Sequence, residues 1–199
     1  RELSQILTDQ ILEDGKKAIV FSQWAEMLKL VEPVMKRLGL GYVKLTGEVP
    51  SAKRGDLIQC FFEDPDCKVF LSTDAGGLGL NLQAASLVIN LDLPWNPAVL
   101  EQCIGRAHRH GQKKSVQVVN LVAQGTIEER MLDTLAGKRT VFAGVFGKTE
   151  APESIRFEDG GQAFLKQLDK LLDEPIKAEL TLEPPSVLVE EKSYTHTLK

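Results

Sequence analysis

Residues 68–92, KVFLSTDAGGLGLNLQAASLVINLD, hold two short apolar runs, KVFLST (68–73) and SLVINLD (86–92), around a glycine-rich connection. Three further runs of the same kind are KAIVFS (17–22), YVKLT (42–46) and VQVVNLVA (116–123). Segments with helical periodicity lie between the runs, such as residues 25–38 and those after Pro50. Strands that are apolar on both faces and alternate with helices indicate a parallel sheet that is covered on both sides. The sequence therefore predicts an α/β fold with a mainly parallel central sheet.

The domain boundaries are predicted from where this alternation stops. The regular unit runs over residues 1–140, and residues 141–174 are expected to form a helical extension. Residues 175–199 are acidic and contain a Pro-Pro pair, which favours a flexible tail. Because an amphipathic pattern is already under way at Arg1, we expect the chain to be a piece of a longer protein. The predicted core of the sheet consists of Phe70, Leu71, Val88, Ile89, Leu91, Val118 and Leu121.

The composition is that of a globular protein, with 43% hydrophobic and 26% charged residues. No apolar run approaches the ~20 residues that a membrane span needs, so no membrane partner is expected. The three cysteines form no CxxC pair, which favours reduced, intracellular thiols and argues against a zinc or other metal site. The net charge is −4, yet residues 102–114 contain four Lys/Arg residues, two histidines and no acid. This basic strip is compatible with a nucleic-acid partner.

A helix is predicted over residues 97–109. Asn96 is a favourable N-cap, and Pro97 suits the first helical position. One side of the helix is apolar and can pack on the sheet. That side consists of Leu100, Cys103, Ile104 and Ala107.

Gln102, Arg106 and Arg109 form a narrow stripe on the outer side of this predicted helix. At about 100° per residue, Arg106 lies about 40° from Gln102, and Arg109 lies about 20° away on its other side. Gly105 lies beside the stripe, where a missing side chain permits close approach of a ligand. Two guanidinium groups with fixed charge bind phosphate oxygens bidentately. The pattern therefore favours a polyphosphate site, and an ordinary solvated basic face is the alternative.

The glycine-rich connection LSTDAGGLGLNL (71–82) is a second candidate site. It leaves a strand through Thr73 and Asp74. Three glycines follow within four residues: Gly76, Gly77 and Gly79. Such a loop exposes backbone N–H groups at the carboxyl end of a parallel strand, where open α/β sheets bind ligands. A tight turn into a helix is the alternative interpretation.

Five segments, in this order and spacing, carry a resemblance to a known family: KAIVFSQW, LTGEVPSAKR, LSTDAGGLGLNLQAASLVINLDLPWNP, EQCIGRAHRHGQ and VNLVAQGTIEERM. Together they resemble the second RecA-like lobe of the SWI/SNF-type ATPases, which belong to the superfamily-two helicases and translocases. The resemblance covers roughly residues 1–140 and implies a RecA-like three-layer α/β/α sandwich. The closer match to this branch than to the DEAD-box helicases implies movement along double-stranded DNA without strand separation.

The resemblance implies roles for individual residues. Arg106 and Arg109 match the arginine-finger positions, and Gln102 matches the glutamine that opens the same motif. The nucleotide cleft is matched by Asp74, Gly79 and Asn81, with the loop glycines Gly76 and Gly77 expected beside them. Positions that touch the nucleic-acid backbone are matched by Ser22, Gln23, Thr46 and Thr73. The sequence departs from many relatives at Gly105, where they carry Asp, and at His110, where Ile is common.

The implied ligands are ATP, Mg²⁺ and double-stranded DNA, with DNA-bound proteins as further partners. The segment GVFGKT (144–149) is not a phosphate-binding loop, because that motif needs a glycine where this sequence has Phe142. We therefore expect a preceding, N-terminal RecA-like lobe of the same protein to hold Mg²⁺ and the β- and γ-phosphates. The chain alone is expected to be inactive. The full protein would be a DNA-dependent ATPase that is intracellular and associated with DNA.

Two other functions stay open on the sequence alone. The chain could be the equivalent lobe of a strand-separating helicase, or a non-catalytic module whose helix binds a protein partner. The acidic tail is interpreted as a solubilising linker, with an autoinhibitory arm that mimics DNA as the alternative. Trp24 and Trp95 can stack on bases, although a buried or rim position beside a strand is favoured for both.

Overall fold

The structure, a computed structural model, describes residues 1–73, 79–94, 96–109, 111–129, 131 and 187–194. The chain divides into two compact units, one made of Arg1–Val122 with Val187–Lys199 and the other of Ala123–Ser186. The predicted extension at 141–174, the segment GVFGKT and Trp95 lie outside the described residues. Among the residues that are described, no helix has the length and apolarity needed to cross a membrane.

A six-stranded sheet is the framework of the fold. Its strands are β1 (Ala18–Ser22), β2 (Gly41–Leu45), β3 (Cys67–Thr73), β4 (Leu87–Asn90), β5 (Val116–Ala123) and β6 (Val187–Tyr194). Their spatial order is β2-β3-β1-β4-β5-β6. The strands β1 to β5 are joined by parallel pairing. The five strands predicted from the apolar runs are confirmed, with ends that differ by no more than two residues.

Helices connect the strands and end at recognisable signals. They are α1 (Glu2–Leu7), a π-helical segment (Thr8–Glu13), α2 (Ala25–Leu38), α3 (Ser51–Glu63) and α4 (Pro97–Ala107). After α2, Gly39 adopts a φ of 66°, and the N–H of Leu40 donates to the carbonyl of Met35 at 3.0 Å. Glycine takes this left-handed conformation without the steric cost of a Cβ, so Gly39 sets the end of α2.

The helices cover both faces of the sheet. Leu71 of β3 belongs to a buried cluster that includes Leu28 of α2 and Leu7 of α1. The preceding residue, Phe70, packs edge-on against Phe61 of α3, with ring centroids 5.3 Å apart. Neighbouring strand residues point to opposite faces, so α2 and α3 lie on opposite sides of the sheet. This arrangement confirms the predicted three-layer α/β/α sandwich.

The predicted core of the sheet is also confirmed. Five of its seven members are buried: Phe70, Leu71, Val88, Ile89 and Val118. The other two, Leu91 and Leu121, are partly buried against the core cluster. Apolar residues on both faces of a strand are what a parallel sheet between two helical layers requires.

Two predictions are wrong, one about where a helix ends and one about the conformation of the tail. The helix predicted over residues 97–109 ends at Ala107, because His108 leaves the helical conformation with a ψ of 86°. Arg109 therefore lies beyond the helix and outside its stripe. The tail predicted to be flexible contains β6, which joins the sheet next to β5. An acidic residue here supports pairing, because a carboxylate oxygen of Glu190 accepts a hydrogen bond from Asn120 Nδ2 at 2.8 Å.

Candidate functional site

The ends of β1, β2 and β3 bring three of the predicted DNA-contact residues to one edge of the sheet. Ser22 and Thr73 are the last residues of their strands and are register partners. Thr46 follows β2, whose last residue pairs with Ser72. Ser22, Thr46 and Thr73 are all buried. The sheet therefore fixes a row of hydroxyl groups at its carboxyl edge, where open α/β sheets bind ligands.

A hydrogen-bonded turn follows Ser22. The Ser22 hydroxyl donates to one carboxylate oxygen of Asp92, and the other oxygen accepts from the N–H of Gln23 at 2.9 Å. The N–H of Trp24 donates to the Ser22 hydroxyl oxygen at 3.0 Å. Gln23 Nε2 donates to the carbonyl of Leu93 at 3.0 Å. Bonds to a carboxylate are stronger than bonds between neutral groups, so Asp92 holds this turn in place.

Asp92 is a residue of the site that the sequence analysis misses. It follows β4 by two residues and is buried, with both carboxylate oxygens bonded to the turn after β1. The only signal in the sequence is an acid just after an apolar strand. Because the hydroxyl of Ser22 is bonded to Asp92, Ser22 supports the turn from within. Gln23 and Trp24 form the exposed surface of the turn. Trp24 is 67% exposed and stands at the rim of the sheet edge.

The described end of the glycine-rich connection is shaped by a glycine and an asparagine. Gly79 has a φ of 78°, a conformation that strains any residue with a Cβ. Asn81 is exposed, and its Oδ1 accepts from the N–H of Gln83 at 3.3 Å. Asp74, Gly76 and Gly77 lie outside the described residues. The predicted nucleotide contacts of this loop stay a prediction.

Hydrogen bonds tie the end of this loop to the C-terminus of α4. The N–H of Leu82 donates to the carbonyl of Arg106 at 2.9 Å. Gln112 Nε2 lies within hydrogen-bond distance of three carbonyl oxygens, those of Gln83 at 2.9 Å, Ala85 at 3.0 Å and Ala107 at 3.2 Å. The loop residues and the last turn of α4 therefore form one hydrogen-bonded unit. Gln112 is a second residue whose role the sequence analysis misses, because only the folded chain shows which carbonyls it meets.

The polar side of α4 carries Gln102 and Arg106 one turn apart, as predicted. Gln102 is exposed, whereas Arg106 is partly buried. Burial lowers the pKa of Arg106, Cys103 raises it, and the positive charge of Arg109 lowers it again. The guanidinium group keeps its proton at neutral pH all the same. Arg106 is thus a partly dehydrated cation on which a second cation acts.

Arg109 reaches this region from outside the helix. It follows His108, where α4 ends, and its carbonyl accepts from the N–H of Gln112 at 2.9 Å. The side chain of Arg109 is exposed, yet its charge acts on Arg106. Arg109 therefore follows Arg106 by three residues, just beyond the end of α4, and the helical stripe that led to the prediction is broken. Two neighbouring guanidinium groups favour an anionic ligand such as a phosphate.

The arrangement defines a class of protein. Within the described ranges, no group of three or more His, Cys, Asp or Glu side chains could hold a metal ion. A parallel sheet with helices on both faces, a glycine-rich connection after β3 and two arginines at and just beyond the end of α4 are features of a RecA-like lobe of the helicase type.

Comparison with known proteins gives the family. The chain belongs to the helicase conserved C-terminal domain family, which matches residues 2–111. It is 42% identical over 142 residues to the chromatin-remodeling ATPase INO80 of Cryptococcus neoformans, an alignment that covers 71% of this chain and 8% of that protein. It is 38% identical over 160 residues to the helicase-like transcription factor of Homo sapiens, which covers 79% of this chain and 16% of that protein. The recognition of a second RecA-like lobe of the SWI/SNF type is confirmed.

A solved structure shows the same fold. The C-terminal part of the Fun30 ATPase domain superposes with a TM-score of 0.67 at 30% sequence identity, over 87% of this chain and 54% of that chain. The RecA-like α/β fold is therefore confirmed. The chain spans only 8% and 16% of the lengths of the two relatives named above.

Proposed function

We propose that this lobe serves an ATP-driven double-stranded DNA translocase, in which Arg106 and Arg109 act as arginine fingers. The observation that carries the proposal is the position of two arginines at the end of α4, the partly buried Arg106 and the exposed Arg109, beside the glycine-rich connection, whose Leu82 donates to the carbonyl of Arg106 at 2.9 Å. Membership of the helicase C-terminal family supports ATP as the substrate of the full protein. The names of the relatives, a chromatin-remodeling ATPase and a helicase-like transcription factor, support DNA in chromatin as the track.

In the proposed reaction, water attacks the γ-phosphorus of ATP, and the bond to the bridging oxygen of ADP breaks. Negative charge is then spread over the three equatorial oxygens of the transferring group. Arg106 and Arg109 donate N–H groups to those oxygens, a contribution worth about 10³–10⁵ in rate where it is measured. Bound Mg²⁺ neutralises phosphate charge, and its ligands and the phosphate-binding loop are assigned to a preceding RecA-like lobe of the same protein.

Coupling to DNA is proposed to run through the glycine-rich connection. This connection begins at Thr73, in the buried hydroxyl row, and ends at residues that are bonded to α4. Its loop residues Asp74, Gly76, Gly77, Gly79 and Asn81 are proposed to line the nucleotide cleft, with Gln102 beside them. Closure of two lobes on ATP would then move the arginines, the loop and the proposed DNA contacts Gln23, Thr46 and Thr73 together, with Ser22 holding the turn.

The test is Arg109→Ala in the full-length protein. We expect the DNA-stimulated ATPase rate to fall by about 10³ or more, because the oxygens of the transferring phosphoryl group lose a hydrogen-bond donor in the transition state. DNA affinity and melting temperature should hardly change, since Arg109 is exposed. Lys113→Ala is the matched control, because it removes the same charge from a nearby exposed position.

Three outcomes separate the possible roles of Arg109. A lost rate with retained DNA affinity and stability supports the finger role. A lower DNA affinity with a weaker salt dependence and a modest effect on rate indicates a phosphate contact with DNA instead. An unchanged rate at saturating ATP and DNA rejects the finger role.

A second measurement distinguishes translocation from strand separation. The full-length protein should displace the third strand of a DNA triplex and should leave a forked duplex paired. Unwinding of the fork would favour a strand-separating helicase. The chain alone should hydrolyse ATP only at the background rate, and turnover that Lys148→Ala abolishes would contradict both the lobe assignment and the dismissal of GVFGKT.

A further inference from the structure

The last strand of the sheet comes from the far end of the chain. Ser115 and Ser193 share a hydrogen bond of 2.7 Å between their hydroxyl oxygens, and Gln117 Nε2 donates to a carboxylate oxygen of Glu191 at 3.0 Å. From Ser115 to Gln117 the residue numbers increase, whereas those of their partners decrease from Ser193 to Glu191, so β6 runs antiparallel to β5. An edge strand fixed by side-chain bonds as well as by pairing is an integral part of the sheet.

A chain of side-chain amides makes β6 part of the interior. Asn90 Nδ2 donates to Asn120 Oδ1 at 2.7 Å, and Asn120 Nδ2 donates to Glu190 at 2.8 Å. Both asparagines are only 2% exposed. A buried amide that loses its hydrogen-bond partner is costly, so loss of Glu190 would destabilise the sheet at β5. The register of β6 is therefore fixed by the bond from Asn120 of β5, which is itself bonded to Asn90 of β4.

This register places Tyr194, the last residue of β6, against the residue that ends α4. The rings of Tyr194 and His108 have centroids 5.7 Å apart and are tilted by 53°. The backbone of Tyr194 is held as well, because the Ser115 hydroxyl donates to its carbonyl at 3.4 Å. The backbone N–H of His108 still bonds to Ile104 at 2.9 Å, whereas its ψ of 86° turns the chain out of the helix.

We propose that Tyr194 is a positioning residue for Arg109 and acts through His108. The inference rests on the proposed finger role of Arg109. Within a helix, backbone geometry fixes the direction of a side chain, as it does for Arg106. Arg109 lies two residues beyond α4, so its direction depends on the conformation of His108. A ring packed on His108 limits the ways in which the chain can leave the helix, and hence where Arg109 points.

Two features distinguish this role from simple support of the sheet. The side-chain bonds between β6 and the residues of β5 or just before it involve Ser193, Glu191 and Glu190, and none of these bonds uses the ring of Tyr194. The ring meets the exit of α4 instead. Removing it should therefore leave the strand paired and should loosen only the residues from His108 onward.

The experiment is a double-mutant cycle in the full-length protein. Tyr194→Ala should lower kcat of the DNA-stimulated ATPase about ten- to hundredfold, because a small misplacement of a catalytic group has that cost. KM for ATP, DNA affinity and the melting temperature should stay near those of the wild type. Tyr194→Phe keeps the ring and should restore the rate. Val189→Ala, on the same strand and exposed, is the control for changes in β6 itself.

Tyr194→Ala in an Arg109→Ala background decides whether Tyr194 positions Arg109 or only supports the sheet. If Tyr194 acts through Arg109, Tyr194→Ala has no further effect there, because coupled residues are not additive. The inference is overturned if Tyr194→Ala lowers kcat in that background by as much as it does in the wild type. It is also overturned if Tyr194→Ala alone leaves kcat unchanged, or if Tyr194→Phe is slow. Should Tyr194→Ala fold poorly, Tyr194→Leu keeps apolar bulk without the ring and is expected to be slow. If Arg109→Ala alone leaves the rate unchanged, the proposed function fails and this inference fails with it.

Discussion

The turn after β1 and the end of α4 treat charge in opposite ways. In the turn, the carboxylate of Asp92 accepts hydrogen bonds from the hydroxyl of Ser22 and the backbone of Gln23, so its charge is compensated within the protein. At the end of α4, burial is the main cause that lowers the pKa of Arg106, and the like charge of Arg109 lowers it further. Electrostatic conflict of this kind is typical of functional sites.

The contrast separates support from function within one lobe. A compensated charge contributes to stability, because removing it leaves partners without their acceptor. A partly buried charge close to another of the same sign contributes little to stability. Substitutions in the turn should therefore change the free energy of unfolding, whereas substitutions at the arginines should change the catalytic rate.

The largest effect is expected at Arg106. Arg106→Ala should lower the DNA-stimulated ATPase rate of the full-length protein by about 10³ or more. Arg106→Lys should recover little of it, because lysine keeps the charge but not the planar, bidentate donors. The melting temperature of Arg106→Ala should not fall, since removing one of two like charges relieves repulsion. A loss of stability without a loss of rate would break the comparison by placing Arg106 among the supporting residues.

An intermediate effect is expected at Gln112, which joins the loop to α4. Gln112→Ala removes the amide that approaches the carbonyls of Gln83, Ala85 and Ala107. We expect a loss of about 1–3 kcal/mol in the free energy of unfolding and a rate lower by about tenfold, because the arginines lose their fixed position. Gln59→Ala, which removes an exposed side-chain bond within α3, is the control. An effect on stability alone would show that the loop and α4 need not be joined for catalysis.

Prediction from the sequence succeeds where one element contains its own signal. The strands β1 to β5 are read from short apolar runs, and α4 begins where Asn96 accepts a hydrogen bond from the N–H of Ala98 at 2.9 Å. Five of the seven predicted core residues are buried and two are partly buried, because a strand between two helical layers has to be apolar on both faces.

Prediction fails where distant parts of the chain meet. The end of α4 at Ala107 has no local signal, since the periodicity continues through Arg109. The strand β6 lies more than 60 residues after β5 in an acidic segment, and its Glu190 makes sense only beside Asn120. Asp92 and Gln112 are polar residues whose partners lie on other elements. The order of residue types along a segment does not reveal hydrogen bonds to other elements.

The turn after β1 should respond in stability alone. Asp92→Asn removes the charge and one acceptor, so we expect a loss of about 1–3 kcal/mol in the free energy of unfolding. The ATPase rate, measured well below the melting temperature, should change by less than about twofold, because in this comparison the turn supports the site without contacting the reacting phosphate. Asp56→Asn, at an exposed position on α3, is the matched control. A rate loss comparable to that of Arg106→Ala would remove the distinction between support and function.

The smallest effect is expected at an ion pair between α2 and β2. Glu32 of α2 accepts hydrogen bonds from Lys44 and, at 3.1 Å, from the hydroxyl of Tyr42. The bond from Lys44 is the main cause that lowers the pKa of Glu32 from its ordinary value of 4.5, against the opposing effect of burial. This charge is compensated, so it should behave like Asp92 and affect stability only.

A lowered pKa in the folded state fixes the direction of the pH dependence. The contribution of Glu32 is fully present above pH 4.5, its ordinary value, and is lost as the pH falls below that value through the folded pKa. It should amount to about 1 kcal/mol or less, because the pair is partly solvated. The free energies of unfolding of Glu32→Gln and of the wild type should therefore differ above pH 4.5 and converge as the pH falls below it through the folded pKa. Glu26→Gln, in an exposed pair on the same helix, should follow the wild type throughout. A difference that grows as the pH falls would show that the charge of Glu32 is not compensated, and would extend the electrostatic conflict beyond α4.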